Sequence, residues 1–164
     1  LYKNHGMTDK KRYYHYLVGY NFRMTNLQAS LGVAQLKNYR KFEKKRKYIE
    51  NFYNKSFKKL DNFVMQRESI ATKRVCWLYT AMFIGSNLKK IRQFLGKYKI
   101  DSRRVFYPYH TMPIYKKYVP KDFNRKNSLT LFNHGLSLPT YFEITKKDLI
   151  KVSKIVKKYI DIKN

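Results

Sequence analysis

Cysteine is almost missing from this chain: the single Cys76 among 164 residues cannot close an internal disulfide. It lies between Val75 and Trp77 in an apolar run with no basic residue directly beside it. That pattern suits a buried free thiol in a reducing compartment rather than a nucleophile. Glycine and proline are also sparse, at six and four residues. No glycine-rich loop that could cradle a phosphate is present, and no low-complexity linker or internal repeat interrupts the chain. No stretch approaches the roughly 20 apolar residues of a membrane span. No signal-peptide pattern opens the sequence, no His/Cys/Asp/Glu spacing matches a metal site, and no Ser-His-Asp arrangement is visible.

Acidic side chains are the other scarcity. Ten Asp and Glu stand against 37 Lys and Arg, giving a formal net charge of +27. A protein this basic can bind nucleic acid through counterion release, with interleaved Tyr and Phe stacking on bases. The lysines, however, are scattered along every segment instead of forming one stripe, so a solvated surface and no specific nucleic-acid partner are expected, with a basic nucleic-acid-binding module as the alternative function. What is abundant is apolar and aromatic: 43% and 17% of residues, enough for a folded chain with a real core.

The most informative run extends from Gly19 to Leu36. Thr25 and Gln28 form the S/T-x-x-Q capping box, and Leu27, Leu31 and Ala34 follow at helical spacing. A helix therefore starts near Thr25, and its pattern continues through Phe42, Ile49 and Phe52 to about Phe57. Upstream, Asn21 and Arg23 lie on a polar loop feeding that helix, where amide, guanidinium and free helix N–H groups can converge on a phosphate. The plain alternative is that Asn21 caps a turn and Arg23 is merely solvated.

Further along, Val75–Ile84 predicts a buried strand ending at Gly85, Asn87–Tyr98 a helix, and Arg103–Tyr107 a strand cut off by Pro108. A loop around Met112-Pro113 precedes a short helix over Asn124–Phe132. His134 falls at the end of that helix, with Gly135 as its C′ stop. Leu136–Leu138 then reads as a short extended run. Thr145 and Asp148 make a second capping box, opening an amphipathic helix through Leu149, Val152, Ile155, Val156 and Ile160. The fold class is α/β, with an α+β small domain built on one sheet. Before the first helix, residues 1–17 form a polar, aromatic connection with the basic cluster Lys10-Lys11-Arg12. In it, His5 and His15 suit structural hydrogen bonding.

Three blocks resemble the DegT/DnrJ/EryC1/StrS family of pyridoxal-phosphate sugar aminotransferases. The run Gly19-Tyr20-Asn21-Phe22-Arg23-Met24-Thr25-Asn26-Leu27-Gln28-Ala29 is similar to its G-Y-N-x-R-M-T-x-L-Q-A signature. Phe106–Tyr115 and Gly135–Thr140 match in the expected order, and the opening Asn4-His5-Gly6 also fits.

The resemblance implies the C-terminal part of a fold-type-I aminotransferase. Residues 1–38 would be the end of the large cofactor-binding domain and the start of a linking helix, and residues 39–164 the small domain. Family members are over twice this length, and their Schiff-base lysine lies upstream of the block that begins here. No catalytic residue is therefore expected within this chain, and the segment alone is expected to be inactive. The implied cofactor is pyridoxal 5'-phosphate. Asn21 maps onto the asparagine that reaches across a homodimer interface to the cofactor phosphate, with Arg23 as a second cofactor-binding candidate. His110 and Tyr107 map onto the substrate pocket.

The implied reaction moves an amino group from glutamate to a nucleotide-linked keto-deoxysugar in the cytoplasm, for cell-surface polysaccharide biosynthesis. The run Arg104–Tyr115 is particularly similar to perosamine-synthase-type members, which aminate GDP-4-keto-6-deoxymannose. UDP-linked 4-keto sugars, 3-aminotransferases, the related deoxysugar dehydratases and a catalytically inactive homologue are the alternatives within the same resemblance.

Overall fold

Two reciprocal hydrogen-bond boxes set where the long helices begin. Thr25 N donates to Gln28 Oε1 at 2.9 Å while Gln28 N donates to Thr25 Oγ1 at 3.2 Å, and helix α1 runs from Asn26–Phe57. Near the other end of the chain, Thr145 Oγ1 and N both donate to Asp148 Oδ2, at 2.6 and 3.0 Å. Asp148 N returns a bond to Thr145 Oγ1 at 3.1 Å. This opens the last helix, Lys146–Lys163. The computed structural model describes residues 2–163 except 4, 9, 11, 12, 69 and 73, and for residue 163 the backbone alone. Asn4 of the opening motif and Lys11 and Arg12 of the basic cluster thus lie outside the described residues.

The chain divides into two compact units, Leu1–Lys41 and Phe42–Asn164. In the first, residues 2–24 fold back on themselves: Tyr20 N donates to the Tyr2 carbonyl at 2.7 Å and Tyr16 N to the Gly6 carbonyl at 3.0 Å. Gly6 adopts φ +75°, and a Cβ there would collide with the Leu17 carbonyl oxygen. Glycine is needed at this crossing both for its conformation and for the close approach. His15 Nδ1 donates to the His5 carbonyl at 2.6 Å, so this histidine is structural, as its setting suggested.

In the second unit, strands β1 (Phe63–Met65), β2 (Tyr79–Phe83), β3 (Arg103–Arg104) and β4 (Gly135–Leu138) form one antiparallel sheet, in the order β1-β2-β4-β3. Helices α2 (Leu88–Lys97) and α3 (Lys126–His134) lie between them in sequence, and α4 (Lys146–Lys163) closes the chain. Tyr79 pairs with Leu138 and Ala81 with Leu136. Strand alternation puts these four side chains on one face, and all are buried. Against that face pack Ile49, Tyr53 and Phe57 of α1, Leu88, Ile91 and Leu95 of α2, and Leu149, Val152, Val156 and Ile160 of α4. The helical spacing of those residues is why three amphipathic helices cover one sheet. Asn87 Oδ1 caps α2 by accepting from Lys89 N and Lys90 N at 2.9 and 3.2 Å.

The structure corrects the sequence expectation in four places. The strand expected from Val75 starts only at Tyr79, because side chains take the carbonyls before it. Arg46 Nη1 donates to the Trp77 carbonyl at 2.9 Å and Thr140 Oγ1 to the same oxygen at 3.0 Å. The strand expected over Arg103–Tyr107 keeps two residues, since Phe106 and Tyr107 remain exposed with no face to bury and Pro108 follows. The loop around Met112-Pro113 is wound into two 3-10 helices, Tyr109–Thr111 and Pro113–Tyr118. Gly135 does follow α3, but with extended backbone (φ −80°, ψ 128°) rather than a left-handed turn. Glycine is required there because a Cβ would run into the Leu131 carbonyl oxygen and the Val105 side chain. Gly135→Ala is expected to cost about 1–3 kcal/mol by overpacking, measured by denaturant titration; an unchanged midpoint would contradict this packing.

Asp148 offers a milder test. The hydroxyl and amide of Thr145 hold its carboxyl below the ordinary 3.8, with Lys151 and Lys147 adding to the effect. The folded pKa is the lower one, so this contribution is complete above the ordinary carboxylate range and fades as pH falls through the lowered value. Thr145→Ala is expected to lower stability by about 1 kcal/mol at neutral pH. The gap to wild type should narrow in acid, read from melting curves at both pH values.

Candidate functional site

The loop leading into α1 is built by a short backbone zipper. His5 N donates to the Tyr20 carbonyl and Phe22 N to the Lys3 carbonyl, each at 3.2 Å. Tyr20 and Phe22 stack on one side of this extended stretch, centroids 5.2 Å apart and planes within 15°. Alternation turns Asn21, whose side chain is exposed, to the opposite side. Arg23 is exposed two residues on. From Lys10 to Phe42 the chain carries no acidic residue. A neutral amide, a guanidinium and a helix N-terminus free of carboxylates form a donor set suited to a phosphate dianion.

The second candidate region lies between β3 and α3. Pro108 holds φ −60° and ψ 132°. Its carbonyl accepts from Thr111 N at 2.9 Å and from Thr111 Oγ1 at 2.7 Å, closing a tight turn around His110. His110 is half-buried, its ring centroid 5.5 Å from that of Phe123, and its Nε2 is buried with no hydrogen-bond partner among the described residues. Tyr109 and Tyr115 meet edge to face at 5.2 Å. With Tyr118, Val119 and Pro120 these residues wall a groove of about 580 Å³.

Tyr107 does not line that groove. Its ring sits 4.6 Å from Phe132 of α3, which also carries the Arg104 guanidinium 4.4 Å from its centroid. Sequence reasoning singled out His110 but missed the aromatic wall. Its only signal was the density of tyrosines between Tyr107 and Tyr118, and that became informative once the 3-10 helices folded them around one space.

Cys76 is free and buried, as expected. Burial pushes its thiol pKa up, and the nearby Arg74 and Arg46 guanidinium groups oppose this only in part. The sequence had shown no cation directly beside the thiol, and folding supplies two. Arg74 is itself tied down, pairing with Glu50 and donating from Nη1 to the Gln66 carbonyl at 3.0 Å. Among the described residues no cluster of His, Cys, Asp and Glu could hold a metal ion, and no helix is long and apolar enough to cross a membrane.

The profile of the DegT/DnrJ/EryC1/StrS aminotransferase family matches residues 1–157. The chain belongs to this family. Among relatives, the GDP-perosamine synthase of Vibrio cholerae is 34% identical over 164 residues, covering 97% of this chain and 44% of that protein. The GDP-perosamine synthase of Caulobacter vibrioides is 33% identical, covering 93% of this chain and 42% of that protein. The chain thus spans less than half the length of these family members. In fold it is similar to DesV of S. venezuelae, with a TM-score of 0.86 and 20% identity over 97% of this chain and 42% of that one. It is also similar to the PLP form of the sugar aminotransferase Spr1654 of Streptococcus pneumoniae, with a TM-score of 0.80 and 23% identity over 98% of this chain and 42% of that one.

Proposed function

We propose that this chain is the C-terminal part of a pyridoxal-phosphate-dependent aminotransferase acting on a nucleotide-linked keto-deoxysugar. The substrate we favour is GDP-4-keto-6-deoxymannose, with glutamate as amino donor. The observation that carries this reading is the 34% identity to a GDP-perosamine synthase across 97% of the chain. In this reading residues 1–38 finish the large domain, residues 39–164 form the small one, and the Schiff-base lysine lies upstream.

When bound, the cofactor supplies the electron sink for moving an amino group between donor and sugar. The residues of this chain bind and orient. The Asn21 amide donates to the cofactor phosphate without desolvating another charge, and Arg23 adds a guanidinium to the same anion. His110 presents its imidazole to the sugar substrate from the turn fixed by Pro108. Of the two substrate-pocket candidates His110 carries the reading, since Tyr107 stands outside the groove.

Asn21 serves the active site of the second subunit in a homodimer. The exposed apolar residues Val18, Phe22, Met24, Leu27, Leu31 and Leu36 support such an assembly, because a run of this kind marks an interaction surface. The enzyme works in the cytoplasm, on sugars destined for cell-surface polysaccharide.

The test is amino-sugar formation by the intact protein from glutamate and either GDP-4-keto-6-deoxymannose or UDP-linked 4-keto sugars. The highest kcat/KM is expected with the GDP sugar. A clear preference for a UDP sugar would overturn the substrate assignment, and no amino sugar from any of them would overturn the activity.

A further inference from the structure

The ladder between β3 and β4 ends at Arg104, opposite Leu136. From there the chain runs through Val105, Phe106 and Tyr107 to the Pro108 turn that carries His110. One side chain of α3 steers that stretch. Phe132 is half-buried. The Arg104 guanidinium lies over its ring, 4.4 Å from the centroid, and Arg104 Nη2 donates to the Phe132 carbonyl at 3.3 Å. The Tyr107 ring stands 4.6 Å from the Phe132 ring, tilted by 44°. Phe132 thus receives both ends of the stretch 104–107, and between them Val105 Cγ1 abuts Gly135.

Arg104 and Tyr107 are exposed, so these contacts bury little apolar surface and belong to no core. Their consequence is geometric: the backbone entering Pro108 is pinned at Arg104 and again at Tyr107, and proline fixes the next φ. The other side of the groove comes from the same helix. Ser128 lines the groove of His110, and Phe132 lies one turn further along the same face of α3. Phe123, whose ring is 5.5 Å from the imidazole, immediately precedes α3, where Lys126 N donates to Asn124 Oδ1 at 3.0 Å. Groove wall and pin therefore share one element, and the grip on Phe132 sets the register of the His110 turn against it.

That register matters because His110 Nε2 is buried with no hydrogen-bond partner among the described residues. No hydrogen bond at that nitrogen orients the ring, so packing and the backbone beneath it must do so.

We propose that Phe132, held by Arg104 and Tyr107, is a positioning residue that sets where the His110 imidazole stands in its groove, without touching substrate itself. The proposal rests on the reading of His110 as the residue presented to the sugar. It gives Tyr107, which stands outside the groove, a role exerted through its ring alone.

The test uses the intact protein and two readouts. The first is the rate at which diethyl pyrocarbonate modifies His110, followed by peptide mass mapping. His15, held by its bond to the His5 carbonyl, serves as the internal reference. Arg104→Ala/Tyr107→Leu is expected to raise the His110 rate relative to His15 about fivefold or more, because the turn opens locally. Restoring the ring alone at that position, as Tyr107→Phe with Arg104 intact, is expected to bring the rate back to within about twofold of wild type. Both exposed positions tolerate substitution, and melting curves establish that each variant is folded. Phe132→Leu, which removes the shared ring, is expected to behave as the double variant does.

The second readout is turnover with nucleotide sugar and glutamate. The double variant is expected to lower kcat/KM for the sugar about tenfold, as a small misplacement does, with cofactor affinity unchanged. In a His110→Gln background the same double change is expected to cost less than about twofold, since a residue acting through another has nothing further to lose. An unchanged His110 modification rate in the double variant would overturn the proposal. So would a kinetic loss that adds in full to that of His110→Gln. A modification rate that rises while His110→Gln leaves turnover intact upholds the positioning and overturns the sugar-facing role of His110, so the two failures are told apart.

Discussion

Phe57→Ala is expected to lower the stability of the folded small unit by about 3–5 kcal/mol, the cost of emptying a fully packed aromatic site. Phe57 is 1% exposed at the last turn of α1. Its ring stacks on Tyr53 at 5.7 Å and lies 4.7 Å from Phe63 on β1 and 6.4 Å from Tyr79 on β2. Truncation therefore opens a cavity at the junction of helix and two strands, where none of the three can move inward alone. Tyr53 is constrained further by donating its hydroxyl to the Pro139 carbonyl at 3.0 Å. The check is denaturant unfolding, with a lower midpoint and an unchanged slope. A loss below about 1 kcal/mol would show that the site collapses freely and that this aromatic cluster is not the centre of the core.

Asn21→Asp in the intact protein is expected to weaken pyridoxal-phosphate binding about a hundredfold. In the proposed function the wild-type amide offers a donor to the phosphate. The carboxylate removes a bond of about 1.5–3 kcal/mol to a charged acceptor and adds like-charge repulsion of up to about 4 kcal/mol near a protein surface. Asn21→Ala loses only the first contribution and is expected to fall between wild type and the aspartate. Cofactor dissociation constants by equilibrium dialysis give the order directly. If the aspartate variant binds like wild type, Asn21 does not touch the phosphate and caps its turn only.

How much of this was legible in sequence depends on how local each cause is. The starts of α1 and α4 were readable because Thr25 with Gln28 and Thr145 with Asp148 carry their own caps, and α2 from the spacing of Leu88, Ile91 and Leu95. The apolar periods behind those caps need no distant partner to be recognised. Strand β1 was not anticipated, since three residues show no period and exist as a strand only through pairing with β2, Phe63 opposite Phe83. The start of β2 was misplaced for a related reason: Arg46 and Thr140, far away in sequence, claim the Trp77 carbonyl. Gly135 was read as a helix stop, and α3 does end before it, but its backbone is extended and glycine is held there by the Leu131 carbonyl pressed against it.

The site shows the same division. Asn21 and Arg23 stood out because motif, loop and capped helix are contiguous. The aromatic wall beside His110 came into view only when Pro108 and Pro113 wound residues 109–118 into 3-10 helices. Tyr107, equally aromatic in sequence, was turned instead onto Phe132.

The most direct measurement is the visible absorbance of the intact protein reconstituted with pyridoxal phosphate, recorded before and after glutamate is added. A visible band from the lysine-bound cofactor that disappears on glutamate addition is the expected result, showing that the protein holds the cofactor and accepts the amino group. A protein that develops no such band, or whose band glutamate leaves unchanged, would contradict the assignment of this chain to a working aminotransferase.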